Sequence, residues 1–328
     1  MALLFMDSFD HYNSATQQLG KYTNTTSMTI GTSFGRNGTN GLNLNSNLDV
    51  LMKQFTASST LIVGFVFKAA SPASKLLVGF RDAGTNQMEI RTDSSGRFQV
   101  TRNGTVLGTG TTIALANVFY HLQFKVFIAD SGGTYEIKVN GITEVSGTGD
   151  TKNTANASAN QVIISGGNSS FDDFWICNNS GSANNDFLGD VRIVARMPNM
   201  NGIHSAWTPV GAASNFQCVD DANPNDDTDY VTTSTASVKD TYKITPVGLI
   251  GPVKGIQIMN RLRKDDAGSR TVRRLIVVDG NSYFGSSVSL SDSWTISSTE
   301  LIENNPLTGL PWTISEINNT DFGLELVS

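Results

Sequence analysis

The residues able to do acid–base, metal or nucleophilic chemistry are few in this chain and lie far apart. Only three glutamates, Glu89, Glu136 and Glu144, precede residue 178. A glycan-cleaving carboxylate pair must flank one glycosidic bond from one face. The stretch Glu89-Ile-Arg-Thr-Asp93 has the wrong spacing to do so with a third partner. All three glutamates are therefore expected on solvated surface. His11, His121 and His204 share no His/His or Cys/His spacing for zinc. His121 follows Phe119-Tyr120 at a strand start, where an imidazole is expected to serve structure. No phosphate-binding glycine loop occurs. The expectation is a protein without catalysis.

Other charged groups suggest binding. Asp220, Asp221, Asp226, Asp227 and Asp229 share one short oxygen-rich segment that would suit a hard cation such as calcium. The segment lacks the glycine and closing glutamate of an EF-hand loop, so a solvated turn is the competing reading, and no other cofactor is expected. Asp172 and Asp173 are neighbours on a strand, so their carboxylates should point to opposite faces and form no joint site. Further on, Lys254, Arg261, Arg263, Lys264, Arg270, Arg273 and Arg274 crowd into what the pattern predicts as one hairpin. No Lys or Arg follows Arg274, and the tail is acidic. Either the tail covers the basic hairpin within one subunit, or the hairpin docks on a neighbouring acidic subunit. The second reading makes Arg261, Arg263, Lys264, Arg270, Arg273 and Arg274 candidate docking residues and favours a homo-oligomer. Trp207 and Trp312 stand beside prolines and join them as candidate anchors, with packed loop staples as the alternative. Trp175 reads as core.

These residues need a scaffold, and the composition points to strands. Charged residues make up 16% of the chain, while glycine alone contributes 31 of 328 positions. That balance suits a β protein with many tight turns. Short segments rich in Val, Ile, Phe and Thr recur between Gly, Asn, Asp and Ser. Asn103-Gly104 and Asn140-Gly141 predict type I′ hairpins. Leu122, Phe124, Val126 and Ile128 alternate with polar residues, as do Tyr135, Ile137 and Val139. One apolar and one wet face imply two sheets packed face to face. Asp49–Phe55 fits a short helix or a strand, and Phe187–Met197 reads as a strand. A polar stretch then precedes a second, smaller set of strands. The expected division is residues 1–198 for an all-β antiparallel sandwich and 199–328 for a smaller β domain.

The formal net charge of −6 argues against a nucleic-acid binder, and the basic segment lacks interleaved aromatics for stacking bases. The longest strongly apolar run, Leu61–Phe67, is too short to span a bilayer. The first residues show no basic leader, and Cys177 and Cys218 are too few for a disulfide framework. Assembly in a reducing cytoplasm is expected. A single Cys177–Cys218 bond, or an export signal already cleaved, remains the alternative.

Several stretches carry a resemblance. Gly96-Arg-Phe-Gln-Val, Phe119-Tyr-His-Leu-Gln-Phe-Lys-Val, Gly133-Thr-Tyr-Glu-Ile-Lys-Val-Asn-Gly and Asp172-Asp-Phe together resemble the concanavalin A-like, or laminin G-like, jelly roll. Asn184-Asn-Asp-Phe-Leu-Gly-Asp-Val-Arg-Ile, Trp207-Thr-Pro, Arg263-Lys-Asp-Asp-Ala-Gly-Ser-Arg and Asn305-Pro-Leu-Thr-Gly-Leu-Pro-Trp-Thr are similar to structural proteins of tailed bacteriophages. That resemblance implies a virion subunit, a capsid-decorating or tail-associated protein assembled in the host cytoplasm, with other virion proteins as partners. It carries over no ligand or catalytic residue. The alternative is a glycan-binding adhesin for host-surface attachment.

Overall fold

The computed structural model describes residues 2–12, 21–25, 28–46, 49–222 and 224–328. The chain is all-β, with antiparallel strand pairing throughout the described sheets. It divides into two units, Met1–Val194 and Ala195–Ser328, close to residue 198.

The first unit holds β1 (Leu3–Asp7), β2 (Asn24–Thr25), β3 (Met28–Gly31), β4 (Gly41–Leu44), β5 (Leu51–Ser58), β6 (Thr60–Ala69), β7 (Leu76–Asp82), β8 (Thr85–Thr92), β9 (Arg97–Arg102), β10 (Thr105–Ile113), β11 (Tyr120–Phe127), β12 (Gly133–Val139), β13 (Ile142–Gly149), β14 (Ala159–Ile164) and β15 (Ser169–Asn178). They form an eight-stranded sheet, ordered β13-β12-β11-β6-β15-β4-β3 with β1 also on β15, and a seven-stranded sheet, ordered β10-β9-β8-β7-β14-β5-β2. The alternation read from the sequence sets the core. Leu122, Phe124 and Val126 of β11 face inward, and Phe80 of β7 stacks on Phe124 with ring centroids 5.8 Å apart. Asn103 and Asn140 take positive φ, as do Gly104 and Gly141, which is what a type I′ turn demands.

Two expected elements differ. Asp49–Phe55 resolves into strand, from Leu51. Phe187–Met197 is no strand, although β16 begins at Pro198. Residues 179–194 instead run as a strap over the outward face of the eight-stranded sheet. The Gly189 N–H donates to Gln123 Oε1 at 2.9 Å, and Lys125 Nζ to Asp186 at 2.9 Å. Several of the strap's backbone groups bond to side chains, among them the Gly189 and Ile193 N–H and the Val191 carbonyl, in place of a sheet partner. Beneath lies Trp175, only 1% exposed although it points away from the core that holds Phe174 and Ile176. Its indole lies on Gly64, where a Cβ would come within 2.2 Å of the ring.

The second unit holds β16 (Pro198–Ser205), β17 (Thr208–Val210), β18 (Tyr230–Thr232), β19 (Lys239–Ile244), β20 (Ile256–Leu262), β21 (Thr271–Val278), β22 (Asn281–Ser289), β23 (Thr295–Ile302), α1 (Ile314–Asn319) and β24 (Asp321–Leu326). A five-stranded sheet runs β16-β19-β24-β21-β22, beside the ribbons β17-β18 and β20-β23. The single basic hairpin does not form. β20 pairs with β23, whereas β21 pairs with β22 and β24, so Arg261 and Arg273 sit in different sheets. One face of the five-stranded sheet buries Val272, Ile276, Val278, Phe322, Leu324 and Leu326 under Trp207, Trp312 and Ile317. Short α1 is started by Thr313, which exchanges hydrogen bonds with Glu316 in a capping box.

Candidate functional site

The candidate docking residues are all held by partners within the second unit. Arg261 clasps Asp226 through two nitrogens, the second at 2.7 Å. Arg263 pairs with Asp227 at 2.9 Å and lies over the Trp294 ring. Lys264 meets Asp292 at 2.7 Å, and Arg270 meets Asp266 at 2.5 Å. Arg274 is buried and forks onto Glu300 at 2.7 and 3.0 Å. Arg273 reaches Glu325 at 2.9 Å. Trp207 and Trp312 are interior side chains, not surface anchors: Trp207 donates its indole N–H to the Val238 carbonyl, and Trp312 is 1% exposed. The tail supplies part of this pairing, through Asp292, Glu300 and Glu325. Asp266, inside the basic segment, holds Arg270, and the loop at Asp226 and Asp227 supplies the rest, so those two carboxylates serve arginines. Asn223 of the candidate calcium loop lies outside the described residues, and no group of metal-ligating side chains forms among the described residues.

Arg273 opens onto something the sequence did not show. Direct register places Lys239, Glu325 and Arg273 side by side on the face of the sheet opposite Trp207 and Trp312. Phe284 of β22, paired with Leu275, joins this face. The Arg273 guanidinium stacks 3.8 Å from the Phe284 ring, and Lys239 Nζ lies 5.2 Å from it. Toward β16, Lys243 pairs with Asp321 at 2.8 Å. The bulge of β16 is tied across this face: the Ile203 N–H donates to Asp321 Oδ2 at 2.7 Å, and the His204 N–H to Thr241 at 3.0 Å. Solvent reaches Phe284 (38% exposed), Met200 (56%) and Ile203 (60%). Apolar tips therefore alternate with fixed charges on one rigid sheet. Such a surface can bind by shape and charge.

The first unit hides a charge cluster that sequence spacing had excluded. A bulge in β15 puts Asp173 at φ 48°, and the two neighbouring carboxylates both turn to Arg36 instead of opposite faces. Asp172 accepts the Arg36 backbone N–H at 2.8 Å, and Asp173 accepts from its guanidinium. The same guanidinium holds Asp190 at 2.5 Å and the Val191 carbonyl at 2.6 Å, and the Ile193 N–H donates to Asp173 at 2.6 Å. Burial, and then the charge of Asp173, push Asp172 up to about 8; burial raises Asp173 as well, against Arg36. Burial also lifts nearby Asp10 to about 6. The arrangement holds protons and anchors the strap.

Glu89 is the other correction. It is wholly buried on the outward side of β8 rather than solvated, accepting from Asn86, Arg91, Thr101 and the Gly104 N–H. Burial pushes its carboxyl up, but the Arg91 and Thr101 donors and the Gly104 amide outweigh that and hold it below the ordinary range. Glu144 is half-buried, accepting from the Thr112 N–H and hydroxyl at 2.7 Å each. His121 is buried with neither ring nitrogen hydrogen-bonded. Cys177 and Cys218 are buried in separate units, and no disulfide joins them. Gly31-Thr32-Ser33-Phe34-Gly35 has the Gly-x-Ser-x-Gly spacing, but Ser33 lies in an exposed turn after β3, not on a strand-to-helix elbow.

No family model and no curated protein matches this chain. Solved structures share its fold at low identity. The endo-β-1,4-glucuronan lyase of the fungus Trichoderma reesei is 11% identical, over 49% of this chain and 92% of that one, with a TM-score of 0.35. The alginate lyase Aly36B is 12% identical, over 53% and 96%, with a TM-score of 0.39. Domain 4 of AbnA, an extracellular arabinanase from Geobacillus stearothermophilus solved with arabinotriose, is 14% identical, over 54% and 92%, with a TM-score of 0.39. Lyases thus stand among the structures with this sandwich, and the expectation of a chain without catalysis is corrected accordingly. The likeness is one of fold and assigns no activity.

Proposed function

We propose that this chain is a structural subunit of a tailed-bacteriophage particle, displayed on the head or tail and joined to other virion proteins by its second unit. The observation that carries the reading is the outward face of the five-stranded sheet. Arg273 and Lys239 flank a solvent-exposed Phe284, and Met200 and Ile203 project at the β16 end. Interfaces favour this mixture of Arg, aromatic and Met side chains. The sequence resemblance to virion proteins supports the same reading, and a homo-oligomer follows where the partner is a second copy. The test is a reconstruction of intact particles with the chain labelled. The expected result is a defined position and copy number, lost for Phe284→Asp with Arg273→Glu while the variant stays folded. Absence of the chain from purified particles overturns the proposal.

A second reading, a glycan-binding adhesin, has its own observation. The outward face of the seven-stranded sheet sets Gln54, Gln161 and Arg81 in register across β5, β14 and β7, and Arg91 with Gln99 across β8 and β9. Planar amide and guanidinium groups in a row can hydrogen-bond sugar hydroxyls and carboxylates. A glycan array that shows no binding by oligomeric protein removes this reading and leaves the first intact.

A further inference from the structure

The start of the chain builds a closed acid–base pocket that neither proposed role uses. Asp7, at the end of β1, and Lys21 are both almost wholly buried, with Lys21 Nζ 3.2 Å from Asp7 Oδ2. Two phenols, Tyr12 and Tyr22, each donate to the same Oδ2 at 2.9 Å. The other oxygen, Oδ1, accepts the Phe9 N–H at 3.0 Å. Rings wall off the amine: Nζ lies 5.3 Å from the Phe5 centroid and 5.9 Å from that of Tyr12. Burial lowers the proton affinity of Lys21, against the pull of Asp7. A neutral His11, brought down to about 4 by burial, lies against Tyr12 with its Nε2 unpartnered.

A buried ion pair gains little in stability over an apolar pair of the same volume. The pocket brings together parts that amide formation uses: a desolvated amine 3.2 Å from a carboxylate oxygen, an N–H donating to the oxygen that gains charge, and two phenol O–H donors on the oxygen that departs. We infer that Lys21 and Asp7 condense to form an intramolecular amide, a permanent cross-link between the first strand and the segment entering β2. One proton passes from the Lys21 ammonium to Oδ2. The neutral amine then forms the Nζ–Cγ bond while the Phe9 N–H steadies Oδ1. The Cγ–Oδ2 bond breaks, and a second proton from Nζ reaches Oδ2 through the Tyr12 phenol, so that oxygen leaves as water. No oxidant or cofactor is consumed.

The experiment is intact mass spectrometry of the folded, full-length chain, followed by fragmentation of its tryptic peptides. The expected mass is one water below that of the sequence. The tryptic peptide should run through residues 1–36 with an internal Asp7–Lys21 link, one water light, because cleavage at Lys21 is lost. Lys21→Arg should show its full sequence mass. Asp7→Asn, which would release ammonia instead of water, should converge on the wild-type product mass. A folded wild-type chain at full sequence mass, with ordinary cleavage at Lys21, overturns the inference. A water deficit that persists in Lys21→Arg overturns it equally.

Discussion

Replacing Arg36 with methionine keeps most of the side-chain volume and removes the cation that Asp173 and Asp190 share. Asp190 is 61% exposed at its side chain, so water takes over most of its charge and its loss costs little. Asp173 is 3% exposed and cannot be rescued in that way. Breaking a buried pair by removing one partner costs about 3–5 kcal/mol. The protein has one escape, which is to protonate Asp173. At pH 7 that route costs roughly 4 kcal/mol from the ordinary carboxylate value, and less here because burial has already raised the group. The expected loss at pH 7 is therefore about 2–4 kcal/mol. Below the ordinary carboxylate range the acid is protonated with or without Arg36, so the gap between variant and wild type must close as pH falls. Urea unfolding of both proteins at several pH values between 7 and 4 measures this directly. Limited proteolysis should cut residues 187–194 sooner in the variant, since the Val191 carbonyl also loses its donor. A gap under about 1 kcal/mol at pH 7, or one that stays constant with pH, would refute the electrostatic account.

Other outcomes follow from the same structure. Asp10 and Asp172 bind protons when folded that the unfolded chain releases above about pH 4, so their contribution is full at low pH and is lost as pH rises through about 6 and about 8. The wild-type melting temperature should accordingly fall between pH 5 and pH 9, and a flat profile by calorimetry would contradict those two assignments. Gly64→Ala drives a methyl into the buried Trp175 ring and should cost about 1–3 kcal/mol, with a changed tryptophan emission spectrum. Glu89→Gln sets an amide donor against the Arg91, Thr101 and Gly104 donors and should cost about 1–3 kcal/mol in chemical denaturation. Thr313→Ala removes the hydroxyl half of the capping box on α1, leaves the backbone N–H on Glu316, and should cost about 1 kcal/mol, measured in the same way.

What the sequence disclosed was whatever depends on neighbours a few residues apart. Asn103-Gly104 and Asn140-Gly141 bend as expected because a type I′ turn needs only two residues with positive φ. The inward row of Leu122, Phe124 and Val126 is equally local. The basic run misled because Asp265–Gly268 has turn composition, yet the strands on either side find later partners, β23 and β24. Local pattern carries no information about that choice. Arg273 consequently emerged beside Phe284 and Lys239, and the other basic residues went elsewhere. The Arg36 cluster unites residues 10, 36, 172 and 190, and it depends on a single bulge that cancels the strand alternation at Asp173. One signal did exist. Arg36 is the only Lys or Arg between Lys21 and Lys53, and in a chain so poor in charge an isolated cation invites the question of which buried acid it serves.

The strap has a mechanical consequence. The last strand of the sandwich, β15, lies inside its sheet, bonded to β6, β4 and β1. Tension applied at Ala195 does not reach that strand first. It must peel residues 179–194 from the sheet, meeting first the Ile193 N–H held by Asp173 and then the guanidinium of Arg36, gripping Asp190 and the Val191 carbonyl. The attachment point of the sandwich is thus moved from a strand end to a side-chain lock that can yield and re-form without unfolding the sheet. Under a pull at this joint, the first rupture should be short and reversible, and independent of the strength of the core.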